Sequence, residues 1–174
     1  MKNIFAMCCA VIMALAMVGC DDTPLTTDQV KTIAYPVGLA AGKVVTLTVT
    51  DATVQAKIVE VLNTVEKSVP STNETFVAVW TPLAQELVDK YVADGKLNET
   101  QSKLVMTGCK AGFTGLDYLF SKNKKIKDSA DLVSTAVHSF IDGFSTAITP
   151  KSDETLSAEK MDKDAFEFIK NAVK

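Results

Sequence analysis

Three segments of this chain set a small polar residue three positions ahead of Gln or Glu and follow it with apolar residues at helical spacing: Thr26-x-x-Gln29, Ser71-x-x-Glu74 and Asn98-x-x-Gln101. In such a capping box each side chain bonds the other's backbone N–H, so two orphan donors of a helix start are satisfied together. Their recurrence commits the chain to helices joined by short breaks, because strands would need alternation with a period of two.

The spacing predicts six segments. After Thr26, Val30, Ile33, Val37, Ala41, Val44 and Thr48 form one stripe, with a kink expected at Pro36; the β-branched run at residues 44–50 could instead form a strand. Asp51 is suited to cap a second helix carrying Val54, Ile58, Val61, Leu62 and Val65 inward up to Pro70. From Ser71 a third turns Phe76, Trp80, Leu83, Leu87 and Tyr91 inward and stops at Gly95, with Thr81-Pro82 as a place to split. From Asn98 a fourth presents Leu104, Val105, Gly108, Gly112, Leu116, Leu119 and Phe120. Asp128 is placed to cap a fifth with Val133, Val137, Phe140, Ile141, Phe144 and Ile148, ended by Pro150. A short sixth follows Ser157 with Met161, Ala165, Phe168, Ile169 and Val173, after a polar stretch at residues 151–160 that reads as a loop. The expected fold is all-α, a single bundle of five or six helices after a cleaved signal peptide.

Charge narrows the partners. The chain has 18 Lys and Arg together, every one of them Lys, against 21 Asp and Glu. Without Arg it lacks the planar donor behind guanine readout and most phosphate clamps, and an acidic balance removes the non-specific attraction to phosphate backbones; no nucleic-acid partner is expected.

Residues 1–20, MKNIFAMCCAVIMALAMVGC, combine one positive charge at Lys2, an uncharged apolar run at 4–18 and a small residue at Gly19. These are the n-region, h-region and cleavage site of a secretory signal, and the run is too short to span a bilayer, which takes about 20 apolar residues. Its tail, Met17-Val18-Gly19-Cys20, is similar to the lipobox of bacterial lipoproteins and departs from it at Met17, where that family more often has Leu. The resemblance covers residues 1–22 only. It implies a lipid attached at Cys20 and cleavage before it, and the acidic pair Asp21 and Asp22 is similar to the signal that retains enterobacterial lipoproteins at the periplasmic face of the inner membrane. The expected division is a signal peptide at 1–19, a lipid-anchored tether at 20–26 and a helical domain at 27–174. So short a tether spans no more than about 20 Å.

Chemistry-bearing residues are few. Cys8 and Cys9 lie in the leader and Cys20 is assigned to lipid, which leaves Cys109 with no partner for an internal disulfide. His138 is the only histidine, so any triad or multi-histidine metal site must use it; beside Val137 and Ile141 it falls at the edge of an apolar stripe, where a boundary histidine is the plain reading. Cys109 reads as a small buried hydrophobe, the alternative being a nucleophile paired with His138. No glycine-rich phosphate loop, paired-cysteine metal motif or nucleophile elbow is present, and no cofactor or metal is expected.

Gly38-x-x-x-Gly42 and Gly108-x-x-x-Gly112 each put two glycines on one side of a helix, where Gly costs about 1 kcal/mol against Ala. Close helix packing or a surface for a second protein would offset that cost. Lys122, Lys124, Lys125 and Lys127 form the one basic cluster, suited to a helix C-terminus in water or to anionic headgroups beside an anchor. The leading expectation is a non-enzymatic, membrane-anchored domain that binds another envelope protein; exclusion of competing phage or DNA by a phage- or plasmid-encoded product is one setting for it. Two alternatives stand beside it: a carrier with an apolar cavity among Phe76, Trp80, Phe113, Phe140 and Phe144, and an enzyme using His138 or Cys109.

Overall fold

The computed structural model describes residues 24–68, 74–149 and 163–172. It contains α1 (Thr27–Thr46), α2 (Ala52–Val65), α3 (Phe76–Ala93), α4 (Glu99–Lys122), a 3-10 turn (Lys124–Asp128), α5 (Ala130–Ile148) and α6 (Lys163–Ala172), with no strand among the described residues. The all-α bundle is the observed fold.

The helix starts follow side-chain chemistry, not always at the expected residue. Thr26 and Asn98 form reciprocal boxes: Thr26 N–H donates to Gln29 Oε1 at 2.9 Å and Asn98 N–H to Gln101 Oε1 at 3.0 Å, while each Gln N–H returns a bond to the capping oxygen. Asp51 Oδ1 accepts from Thr53 and Val54 N–H. Ser71 lies outside the described residues, and α3 is capped instead by Thr75, whose hydroxyl accepts from Ala78 N–H at 3.1 Å. Asp128 does not cap α5; it closes the 3-10 turn, and Ser129 stands at the cap position without a side-chain bond. At the end of α3, Gly95 takes φ +70°, Lys96 N–H reaches Tyr91 C=O at 2.8 Å and Gly95 N–H reaches Val92 C=O at 3.0 Å. That left-handed turn is one that glycine adopts without a Cβ clash.

Neither internal proline breaks its helix. Pro36 lies inside α1 and Pro82 inside α3, so the expected split at Thr81-Pro82 is absent. The β-branched run at 44–50 is helix up to Thr46 and then turn: Val49 N–H bonds Val45 C=O at 2.8 Å, Val49 is fully buried, and Thr48 is exposed rather than inward. In α3 the inward stripe is Phe76, Trp80, Ala84, Val88 and Tyr91; Leu83 and Leu87 are half-buried, one position out of phase with it. In α6 Ala165 and Ile169 are buried while Phe168 is 49% exposed, and the expected start at Ser157 lies outside the described residues.

Residue pairings fix the topology. Gly38 meets Phe140 and Phe144, and Gly42 meets Phe144 and Ala147, so contacts advance together along α1 and α5 and the two run parallel. Asp51 pairs with Gln101, Ile58 with Gly108 and Leu62 with Gly112, a constant separation of 50 residues that makes α2 parallel to α4. Phe76 meets Phe120 and Trp80 meets Phe113, which makes α3 antiparallel to α4; Gly115 beside Phe140 and Gly112 beside Phe144 make α4 antiparallel to α5, and hence to α1, which Gly115 also meets at Ala41. One end of the bundle therefore gathers the starts of α1, α3 and α5 and the ends of α2 and α4.

The core runs from Leu25 to Ile169, with Trp80, Phe113, Phe140 and Phe144 among its largest fully buried side chains. Leu25, inside the segment expected to be tether, already packs into it at 8% exposure. Packing thus starts two residues before α1, and no helix among the described residues is long and apolar enough to cross a membrane.

Candidate functional site

Cys20, Asp21 and Asp22 lie outside the described residues. The first packed side chain after it is Leu25, which only residues 21–24 separate from Cys20 along the sequence. Five residue steps span at most about 18 Å, so anything holding Cys20 holds this end of the bundle within that reach.

Both glycine pairs face inward. A Cβ on Gly38 would lie 2.0 Å from Phe140 O and one on Gly42 2.5 Å from Phe144 O, while a Cβ on Gly143 of α5 would lie 2.2 Å from Tyr35 O. The backbones of α1 and α5 touch along this seam, as small residues at matching positions permit. Gly108 and Gly112 work differently: their faces are filled by the side chains of Ile58 and Leu62, at 2.3 Å and 3.1 Å from an added Cβ. All four are buried, and none is left on a surface a second protein reaches.

The five aromatic residues proposed to line a cavity fill space themselves. Phe76 packs edge-on to Trp80 at 4.9 Å and tilted against Phe120 at 5.0 Å, Trp80 meets Phe113 at 5.6 Å, and Phe140 stacks with Phe144 at 6.3 Å. Such ring pairs are what a filled core contains.

Cys109 is fully buried on α4, and burial pushes its thiol pKa well above the ordinary value, which disfavours the thiolate a nucleophile needs. His138 is on the exposed side of α5, with 67% of its side chain in solvent, rather than at a half-buried boundary. Its Nδ1 is 3.1 Å from Glu66 Oε1 and its Nε2 is 3.6 Å from Asp142 Oδ2, so carboxylates flank both ring nitrogens. One residue sealed in the core and the other facing water do not form a nucleophile and base. Among the described residues, no group of three or more His, Cys, Asp or Glu is arranged to hold a metal ion.

The four lysines surround one turn. Lys122 ends α4 with its Nζ 5.7 Å from the Tyr118 ring, and Lys124, Lys125 and Lys127 ride on the 3-10 turn, which Ile126 pins by inserting fully into the core. Lys122, Lys124 and Lys127 are exposed.

Two polar constellations were not legible in the sequence. Asp117 of α4 accepts from Phe76 N–H at 2.7 Å and Val77 N–H at 3.2 Å, capping α3 from a neighbouring helix. Burial raises its pKa, against those two N–H groups and Lys127, which lower it. Its one sequence signal is isolation: Asp117 is the sole charge between Lys110 and Lys122. On the opposite end of α3, Tyr91 O–H donates to Glu60 Oε1 at 2.6 Å and Lys57 Nζ sits 4.4 Å from the Tyr91 ring centroid, tying α2 to α3. Hydrogen bonds from Lys57 and then Tyr91 lower the Glu60 pKa; desolvation and then the Glu60 bond lift that of Tyr91 to about 12.

No protein-family model matches this chain, and neither a curated protein nor a solved structure is significantly similar to it.

Proposed function

We propose that the chain is a bacterial envelope lipoprotein whose helical domain is held close against a membrane by lipid on Cys20 and acts by binding another envelope protein, without catalysis. The observation that carries this reading is the shortness of the tether: Leu25 is already part of the core, so residues 21–24 are all that separates a lipidated Cys20 from the folded bundle. Two or three acyl chains, at about 0.8 kcal/mol per buried methylene, would make such an anchor effectively permanent. With Asp21 and Asp22 behind Cys20, the site of action is the periplasmic face of the inner membrane.

A binding role is favoured over chemistry because the thiol is sealed inside the protein and the exposed imidazole sits between the carboxylates of Glu66 and Asp142. It is favoured over a lipid carrier because the aromatic rings pack against each other. Recognition then falls to the exposed helix faces, since the glycine seams are occupied from within.

The test is crosslinking in intact cells followed by purification of the full chain from membranes, beside the Cys20→Ser variant. The expected result is a partner recovered with the wild type and lost when the anchor is removed; recovery of no specific partner from wild-type membranes contradicts the proposal.

A further inference from the structure

The basic cluster and the tether belong to the same end of the molecule, and only the folded topology shows it. Pairings of Gly38 with Phe140 and Gly42 with Phe144 set the register between α1 and α5; continued toward their starts, that register places Ala130, the first residue of α5, beside Asp28 in the first turn of α1. The antiparallel pairing of Gly115 with Ala41 likewise brings the end of α4 down alongside the first half of α1. The turn Lys124–Asp128 fills the remaining stretch between the end of α4 and the start of α5. It therefore flanks the first turns of α1, immediately beyond which the chain leads through Leu25 back to Cys20.

We infer that the Lys122, Lys124, Lys125 and Lys127 cluster docks this end of the bundle on anionic phospholipid headgroups, so that the domain stands on the membrane with the starts of α1 and α5 downward. The inference rests on lipidation at Cys20 for its biological setting but not for its physics. A tether of about 18 Å keeps the cluster near the bilayer, and attraction to an anionic surface decays over about 8–10 Å, so a short tether and a basic end act on the same length scale. Buried Ile126 holds the turn in place, so the charges are presented on fixed backbone. Acids lie nearby: Asp117 is electrostatically coupled to Lys127, Asp128 closes the turn, Asp131 is in the first turn of α5, and Asp28 pairs with Lys31 at 3.6 Å. They moderate the attraction and make it weak without the anchor. The opposite end, where α1 finishes at Thr46 and α3 at Ala93, would face away from the membrane and be open to a partner.

The experiment uses the mature chain from residue 20 with Cys20→Ser, which retains every residue of the core between Leu25 and Ile169 and carries no lipid. Its binding is titrated with vesicles of mixed phosphatidylglycerol and phosphatidylcholine and with vesicles of phosphatidylcholine alone. The expected result is salt-sensitive binding to the anionic vesicles only, weakened at least about tenfold by joint substitution of Lys122, Lys124, Lys125 and Lys127 with Gln, each lysine near an anionic surface being worth roughly fivefold. A second variant removes the same charge elsewhere, at Lys43, Lys90, Lys103 and Lys110, and circular dichroism checks that both variants are folded. Equal binding by the first variant, equal loss in both, or no preference for anionic vesicles overturns the inference. Failure here leaves lipidation of Cys20 untouched, because that is read separately from the mass of the membrane-derived protein.

Discussion

The carboxylate of Asp117 receives the backbone N–H of Phe76 at 2.7 Å, so the first turn of α3 is anchored by a residue 41 positions further along the chain. Thr75 satisfies one orphan donor of that turn and Asp117 two more, which makes the start of α3 a joint property of two helices. Asp117→Ala is expected to destabilise the domain by about 1–2 kcal/mol in urea unfolding. Asp117→Asn, which keeps one acceptor oxygen, should cost less. Because the folded pKa of Asp117 is raised, its protonated form is favoured in the fold; that contribution is full below the ordinary value of 3.8 and fades as pH rises through the raised one. The stability of wild type relative to Asp117→Asn should therefore grow as pH is lowered from neutrality toward the acid range, and a constant difference would contradict the assignment.

Glycines that touch backbone and glycines that touch side chains should respond differently to a methyl group. Gly38→Ala sets a Cβ against Phe140 O on a helix that cannot yield locally, and a loss of about 3 kcal/mol or more in thermal or urea unfolding is expected. Gly108→Ala meets the Ile58 side chain, with Cγ1 at 2.9 Å as well as Cδ1 closer still, so side chain rather than backbone must shift; with roughly 1 kcal/mol of helix propensity regained, its net cost should be smaller than that of Gly38→Ala. Adding Ile58→Val, which removes the clashing Cδ1, should lessen whatever cost remains; a double-mutant cycle reads that coupling.

Tyr91 gives the domain an alkaline weakness. Its folded pKa, raised to about 12 from 10.0, means that the neutral phenol is favoured in the fold, a contribution that is full below pH 10.0 and lost as pH rises through about 12. Wild type should lose stability relative to Tyr91→Phe across that window, while at neutral pH the variant is weaker by about 0.5–1.5 kcal/mol for the missing bond to Glu60. Urea unfolding of both proteins at neutral and alkaline pH checks the crossover.

Cys109 should report global unfolding. Fully buried and with its thiolate disfavoured, it is expected to react with a disulfide reagent only in denaturant, whereas the same thiol in an active nucleophile would react rapidly in the native protein. Fast native-state labelling in the Cys20→Ser mature chain would reopen the enzymatic reading.

Much of this fold could be read from local chemistry, and the exceptions share a cause. Thr26, Asn98 and Gly95 were identifiable because their partners lie within a few residues. The start of α3 was misplaced because Glu74 completes a local pattern with Ser71, while the decisive partner, Asp117, comes from another helix. The phase of α3 slipped by one because Leu83 and Leu87 are the more hydrophobic residues, yet close packing selects the smaller Ala84 and Val88. Paired glycines announced close approach, but whether they met backbone, as at Gly38, or a side chain, as at Gly108, depends on the neighbour. The four lysines were visible as a cluster, and their place beside the start of α1 emerged only from helix pairings in space.

Attachment through Cys20 is read out by the mass of the mature protein extracted from membranes in detergent. The expected mass is that of a chain that begins at Cys20 and carries diacylglycerol and acyl groups on that residue, with the Cys20→Ser variant lacking both. A mature protein with an unmodified Cys20, or with its leader retained, would contradict it.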